Sequence, residues 1–297
     1  MKLQPNRLAA LVVIALVVVA IPQVVPEVYV NIVSRAAVYG IVARDLTRTT
    51  RQTSRLLGGV ARPFMWLLLV GTGYNAIARL EGGLPYQAYV FPGVVAMAAL
   101  FGGMLTAVST VYDREFGMLR LMLASPAGPG AVLLGRVLAA SLVGILQGGV
   151  VLAVAPLVVS VTGERWLLAL GALAAVAAMS ATLGLLVAAR LRSVENFAGI
   201  INVILFPLLF LSGALYPTAG MPPALRAVAR LNPVTYAVDL LRHAFGQAEE
   251  FALATDVVVV LGVMLVGFAA GTLLFDPEQR FTARVARRPP DSAPASP

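Results

Sequence analysis

The stretch Asp113–Pro126, DREFGMLRLMLASP, decides how the rest of the chain is arranged. It lies between two long uncharged runs, Tyr86–Tyr112 and Val137–Thr162. Each run can cross a bilayer, because about 20 apolar residues span the ~30 Å hydrocarbon layer. The stretch between them therefore predicts a short aqueous loop that joins two membrane helices.

A small apolar helix is expected inside this loop. Helical spacing places Phe116, Leu119 and Leu123 on one face, with Met122 beside them and Arg120 turned away. A partner protein could cover that face. Alternatively, the helix could lie on the lipid interface or pack on its own neighbours. Periodicity alone favours the second interpretation.

Composition places the whole chain in the membrane. It has 297 residues, of which 59% are hydrophobic and 12% charged, whereas soluble domains carry about 25% charged residues. The basic residues are spread among the loops, so nucleic acid is not expected as a partner. The chain has no cysteine, and its single lysine is Lys2. A Walker A loop needs a lysine after its glycine-rich turn, so any ATP used must be bound by another subunit.

The hydropathy pattern predicts an all-α polytopic membrane protein with a core of six spans. The predicted spans are Pro63–Ala78, Tyr86–Tyr112, Val137–Thr162, Trp166–Ala189, Phe197–Tyr216 and Val257–Phe275. Fifteen arginines fall in the segments predicted to be cytoplasmic, and five fall in the predicted outer segments. Because positive residues concentrate in cytoplasmic loops, Asp113–Pro126 is expected in the cytoplasm.

The flanks of this core complete the predicted organisation. Residues 1–34 form a hydrophobic segment and linker, 35–275 the transmembrane domain, and 276–297 a basic, proline-rich cytoplasmic tail. Leu8–Val25 is uncharged and follows basic residues. It could be an extra span, an interfacial helix, a signal sequence or the result of a mis-assigned start.

An amphipathic helix is predicted over Arg35–Leu57. Four arginines recur at spacings of 4, 3 and 4 along one face, namely Arg44, Arg48, Arg51 and Arg55. Such a face suits the cytoplasmic interface, where arginines meet anionic lipid. It could also contact a partner, although a solvated face is the simpler interpretation.

On the outer side, the connection between the last two spans contains four prolines, namely Pro217, Pro222, Pro223 and Pro233. Proline removes a backbone donor and interrupts helices. Ala224–Leu231 and Val234–Phe245 are still apolar enough to enter the outer leaflet. We therefore expect two short re-entrant helices there, covered by protein or lining a cavity.

The sequence predicts neither catalytic residues nor a metal site. The only histidine, His243, has no second histidine or cysteine with which to bind a metal. No span centre carries an acid or a base, so the energy for transport is expected from outside the bilayer. Polar residues within the spans could line a pathway or bond between helices. The pathway candidates are Asn75, Thr106, Ser109, Gln147 and Asn202.

Three stretches together resemble the permease subunits of ABC-2 type transporters, the drug and polysaccharide exporter class. The first is ARDLTRTTRQTSRLLGGVARPFMWLLLVGTG. The second and most specific runs from FPGVV through DREFGMLRLMLASPAGPGAVLLGRVLA. The third is LFPLLFLSGALYPTAGMPPALRAVARLNPVTYAVDLLRHAF. Together they cover about residues 38–275.

The resemblance implies a role for each part. Asp113–Pro126 would be the coupling helix, seated in a cleft of a separate ATPase subunit that holds ATP and Mg. The helix with the four arginines would be the connecting helix, and Pro217–Phe245 the re-entrant outer cap. The implied coupling-helix contacts are Glu115, Phe116, Gly117, Leu119, Met122, Leu123, Ser125 and Pro126.

The implied function is that of the membrane-spanning subunit of an ATP-driven exporter, not an enzyme. The expected partners are an ABC ATPase, the lipid bilayer and a second permease copy, identical or related. The expected location is the bacterial cytoplasmic membrane. With 7% aromatic residues, few side chains are available to stack on sugars, which favours a small amphipathic, drug-like or lipid-like cargo. The alternatives are a polysaccharide or glycolipid exporter, a non-transporting membrane scaffold and a membrane enzyme.

Overall fold

A computed structural model describes residues 26–51, 53–75, 85–123, 127–154, 157, 159, 165–191 and 193–286. Within these ranges the chain is helical and contains no strand, which confirms the all-α prediction. The helices are α1 Pro26–Arg51, α2 Thr53–Met65, α3 Gly71–Asn75, α4 Tyr86–Thr106, α5 Val108–Glu115, α6 Met118–Leu123, α7 Gly128–Val154, α8 Trp166–Arg190, α9 Val194–Phe210, α10 Pro223–Leu231, α11 Pro233–Ala244 and α12 Leu253–Ala286. The predicted segment Leu8–Val25, residues Ser125 and Pro126, and the end of the tail from 287 lie outside the described residues.

Four helices in the described ranges are long and apolar enough to cross a membrane. They are Tyr86–Glu115, which joins α4 and α5, then α7, α8 and the part Leu253–Leu274 of α12. Each corresponds to a predicted span. The last helix does not end where the tail was predicted to begin but continues to Ala286.

The two other predicted spans differ from expectation. The fifth, α9, has 17 residues and ends at Phe210 rather than Tyr216, because the chain turns through Gly213 at φ 76°. The first is interrupted: α2 ends at Met65, a π-helical turn covers Trp66–Val70, and α3 follows. The turn comes directly after Pro63, which cannot donate a hydrogen bond within the helix.

Helix α4 forms the centre of the domain. It packs against α7 and α8, while α1 packs along α7, and α12 packs against α8. In the most apolar stretch of Tyr86–Glu115, 89% of the residues are buried inside the protein. In the corresponding stretch of Leu253–Leu274, only 17% are buried. Helix α12 therefore lies at the periphery, with most of its apolar surface open to lipid or another protein.

Glycines allow α7 to approach α4 and α8 closely at Gly144 and Gly148. A Cβ added to Gly144 would lie 2.9 Å from the carbonyl oxygen of Ala99 and 3.1 Å from Cβ of Ala177. One added to Gly148 would lie 2.4 Å from a methyl of Leu173. A Cβ added to Gly149, by contrast, would have no described atom within 4 Å.

Gly144→Val is expected to destabilise the protein by about 1–3 kcal/mol, because overpacking forces buried helices apart. Gly149→Val introduces the same β-branched residue into the same helix, at a position with open space, and is the matched control. The measurement is denaturant unfolding in detergent micelles, followed by circular dichroism. Equal effects of the two substitutions would show that helix propensity, not contact with α4, sets the cost.

The two short helices predicted on the outer side are present, and each begins at a proline. Pro223 opens α10 and Pro233 opens α11, because proline's missing N–H costs nothing in the first helical turn. Between them Asn232 accepts a hydrogen bond from the amide of Val234 at 3.0 Å. It also donates to the carbonyl of Leu208 at 2.7 Å. Asn232 thereby fixes α11 to the end of α9.

Candidate functional site

A sharp turn at Gly117 separates the predicted coupling helix from the span before it. Helix α5 ends at Glu115, Gly117 has φ 77°, and α6 begins at Met118. Glycine adopts this left-handed conformation without steric cost. The turn breaks the helical phase between Phe116 and Leu119, so the two side chains do not share a face.

The predicted apolar stripe is therefore wrong as a single surface. Leu119 and Leu123 are 1% and 4% exposed and belong to the chain's own core. Phe116 is 62% exposed and Leu121 68%. We call the exposed set Phe116, Met118 and Leu121 the apolar tip.

The three charged residues before the tip each contact a different part of the bundle. Asp113 is buried and faces α1 and α7. Arg114 donates to the carbonyls of Ala188, Ala189 and Leu191 at 2.9, 2.9 and 3.0 Å. Those carbonyls lie at the C-terminal end of α8, where a helix leaves its acceptors without partners and favours a cation.

Glu115 accepts a hydrogen bond from the amide of Val194 at 3.2 Å. Val194 is the first residue of α9, so this carboxylate lies at the positive end of that helix. The acidic-basic-acidic order Asp113, Arg114, Glu115 therefore places one charge at each of three junctions. The base of the loop is fixed to the bundle, while the apolar tip stays exposed.

Asp113 belongs to a buried cluster of four charged side chains, which we call the ion cluster: Arg44, Asp45, Asp113 and Arg136. Arg44 contacts Asp113 at 2.6 Å and Asp45 at 3.0 Å. Arg136 contacts both aspartates, Asp45 at 3.4 Å. The side chains of Arg136, Asp45 and Asp113 are 2%, 3% and 6% exposed. Two positive and two negative charges balance, which is the condition for burying them at all.

Arg44 is the partly exposed member of the ion cluster. Burial acts to lower the pKa of Arg44, but its hydrogen bond to Asp113 and the charges of Asp45 and Asp113 raise that pKa above its ordinary value. Arg44 therefore stays charged at any physiological pH. Its guanidinium contacts protein, whereas the simpler sequence interpretation was a solvated face.

A second contact runs from the predicted connecting helix to the apolar tip. The guanidinium of Arg48 lies 4.6 Å from the centre of the Tyr112 ring, and that ring lies 4.4 Å from the ring of Phe116. A cation over an aromatic face is attracted by the ring's quadrupole. Arg51 is exposed on the same helix, and the side chain of Arg55 lies outside the described residues.

The predicted pathway residues do not lie together. Thr106 and Gln147 line one cavity of about 190 Å³ between α2, α4 and α7. Ser109 instead accepts from Arg136 at 3.3 Å, beside the ion cluster. Asn202 is exposed on α9 and bonds to its own helix, and the side chain of Asn75 lies outside the described residues.

Sequence reasoning missed Arg62 as a partner in that cavity. Its guanidinium lies 4.8 Å from the centre of the Phe101 ring and lines the same space as Gln147, whose buried Oε1 has no hydrogen-bond partner. The sequence treated Arg62 as a flanking charge. It also counted Arg136 as a loop residue and gave no role to Asp45. No single-residue signal was available, because Asp45 lies among arginines and threonines and Arg136 directly precedes a predicted span.

These features agree with a family-level match. A family model described as ABC-2 type transporter matches residues 36–245, which include the ion cluster, the apolar tip and both outer helices. The chain belongs to the ABC-2 type transporter family. This membership assigns the protein to permease-type membrane transport.

Individual relatives of this ABC-2 type protein agree. It is 29% identical over 192 residues to nodulation protein J of Rhizobium leguminosarum bv. trifolii, across 63% of this chain and 72% of that protein. It is 27% identical over 224 residues to ycf38, a protein of Cyanophora paradoxa that is named as a transport permease, across 70% of this chain and 73% of that protein. A third, nodulation protein J of Sinorhizobium fredii, is 26% identical over 191 residues, across 64% and 73%.

Proposed function

We propose that this chain is the membrane-spanning subunit of an ATP-driven exporter in a bacterial cytoplasmic membrane. The ATP and Mg would be held by a separate ABC ATPase subunit. The observation that carries the proposal is the apolar tip, Phe116, Met118 and Leu121, exposed at the end of a buried and charge-balanced base. Three large apolar side chains at a predicted cytoplasmic surface suit a cleft in a partner protein.

The base of the loop supports transmission of movement from such a partner. Asp113 belongs to the ion cluster. Arg114 contacts the end of α8, and Glu115 contacts the start of α9. A displacement of the tip would therefore reach three helices through direct polar contacts, of which those of Asp113 are buried and that of Glu115 is exposed. ATP binding in the partner could bias inward- and outward-facing states only if its contacts with the tip differ between them.

The cargo proposal depends on two copies of the chain. The cavity beside Arg62 and Gln147 has about 190 Å³, which is less than the roughly 300–1,000 Å³ of ligand pockets. We therefore propose that cargo passes between the two subunits of a homodimer. Mostly apolar walls with one arginine, one amide and two threonines favour a small amphipathic or lipid-like cargo, whose polar head would meet those groups.

The test is purification of the tagged chain from membranes of the cells that encode it. We expect an ABC ATPase to co-purify in stoichiometric amount. In proteoliposomes, the complex should hydrolyse ATP faster when its amphipathic cargo is present. Transport or ATP hydrolysis by the chain alone would overturn the proposal, as would a purified complex without an ATPase.

A further inference from the structure

The predicted outer side of the bundle holds a second buried cluster of ionisable residues, away from the ion cluster. Asp239 and His243 lie one turn apart on α11, and Asp256 lies in the first turn of α12. One potential ligand atom from each residue falls within 4.8 Å of the other two. Asp239 and Asp256 are 1% and 0% exposed. Seventeen positions separate the aspartates in the sequence, so only the fold shows that they meet.

The histidine in this cluster faces a carboxylate at each of its two ring nitrogens. Its Nδ1 contacts the carboxylate of Glu249, and its Nε2 lies 3.0 Å from Oδ2 of Asp256. A neutral imidazole donates from one nitrogen and accepts at the other. If Nδ1 donates to Glu249, the lone pair of Nε2 faces a carboxylate oxygen. A positive species at that position is needed to make the contact favourable.

The buried acids point to the same requirement. The second oxygen of Asp256, Oδ1, is buried and has no hydrogen-bond partner among the described residues, which leaves a desolvated polar atom uncompensated. The nearest arginine, Arg242, is 4.0 Å from Asp239. It is also occupied elsewhere, because it donates to the hydroxyl of Tyr89 at 2.7 Å and to the carbonyl of Gly213 at 2.6 Å.

We propose that Asp239, His243 and Asp256 bind a divalent transition-metal ion of the zinc class. One imidazole nitrogen and carboxylate oxygens are ligands that zinc accepts. Histidines that bind metals nearly always donate their other ring N–H to a carboxylate, a backbone carbonyl or water. Glu249 stands at Nδ1 in that position and is a positioning residue.

The loop between α11 and α12 is built to hold this arrangement. Asp239 accepts hydrogen bonds from the amides of Glu250, at 2.9 and 3.0 Å, and of Phe251, at 2.8 Å. These bonds fix the backbone next to Glu249 and so place its carboxylate against His243. An ion bound here would join the outer hairpin to the last membrane helix, at the histidine for which the sequence predicted no metal partner.

The first experiment measures zinc on the full chain in detergent, after treatment with EDTA and reloading with ZnCl₂. We expect one tightly bound zinc ion per chain by mass spectrometry of the metal. His243→Gln and Asp256→Asn should each weaken zinc binding at least about 10-fold. Glu195→Gln, which removes an exposed carboxylate at the other end of the bundle, should leave it unchanged. The proposal would be overturned if the unmodified chain and the three variants bound the same amount of zinc, or if none of the four proteins bound zinc.

A second experiment keeps the proposal testable if the variants of the first experiment misfold. The chain has no cysteine, so in His243→Cys loaded with Co²⁺, any thiolate-to-metal absorption band must come from position 243. A thiolate is also a good ligand for this class of ion. We expect the band in His243→Cys and its loss in the double variant with Asp256→Asn. Absence of the band in a folded His243→Cys protein would show that the three residues share a proton instead of a metal.

Discussion

Leu121→Asp is expected to weaken binding of the ABC ATPase subunit by roughly 30- to 1,000-fold, equivalent to about 2–4 kcal/mol. Leu121 is 68% exposed on α6, so the free chain tolerates the aspartate in water. In the docked complex the same carboxylate would enter an apolar contact without a partner, and burying an unpaired charge is costly. The measurement is the dissociation constant between purified permease and ATPase in detergent or nanodiscs.

The matched control is Leu231→Asp. Leu231 is 84% exposed at the end of α10, on the predicted outer side, so the substitution is the same but lies far from the proposed contact. It should bind the ATPase like wild type. If Leu121→Asp also binds like wild type, the apolar tip is not the docking surface, whatever the family resemblance implies.

Substitutions at Leu119 and Leu121 together distinguish a folding defect from a docking defect. It is 1% exposed within the chain's own core, where Leu→Ala typically costs about 2–5 kcal/mol of stability. Leu121→Ala should leave unfolding almost unchanged and weaken only the complex. The sequence alone grouped Leu119 with Phe116, and an aspartate at Leu119 would then have been misread as a docking defect.

The parts of the fold that follow from composition could be predicted from the sequence. Long uncharged runs predict membrane-spanning helices, because backbone groups inside a bilayer must form their hydrogen bonds within the protein. Four of the six predicted spans match helices of sufficient length. The outer helices were predicted from their apolar composition, one residue short at the start, because Pro223 and Pro233 stand at their first positions.

Details that depend on one backbone dihedral or on distant pairing could not be predicted. The φ of 77° at Gly117 changes which leucines face outwards, and helical periodicity assumes no such break. Arg136 and Asp45 are 91 positions apart, and each is an ordinary flanking residue by itself. His243 was judged an isolated histidine for the same reason, since its carboxylate partner Asp256 lies on the next helix.

The ion cluster leads to the second large prediction. Asp113→Asn is expected to destabilise the permease by about 3–5 kcal/mol, because breaking a buried ion pair leaves an uncompensated charge. Asp45 would then be the single acid between Arg44 and Arg136, with the Arg136 side chain only 2% exposed. Denaturant unfolding in mixed micelles measures the cost. Glu195→Gln, a charge removal at an exposed position, is the control and should change stability by less than about 0.5 kcal/mol.

A double variant distinguishes charge balance from the loss of one hydrogen bond. Asp113→Asn with Arg136→Gln removes one charge of each sign and leaves Arg44 paired with Asp45 at 3.0 Å. If uncompensated charge is the main cost, the double variant should be more stable than Asp113→Asn by about 2 kcal/mol or more. Additive losses would instead mean that each side chain acts alone.

Asp113 directly precedes the loop that carries the apolar tip. We therefore also expect the Asp113→Asn permease to bind the ATPase but to lose cargo-stimulated hydrolysis. The double variant should partly restore that hydrolysis.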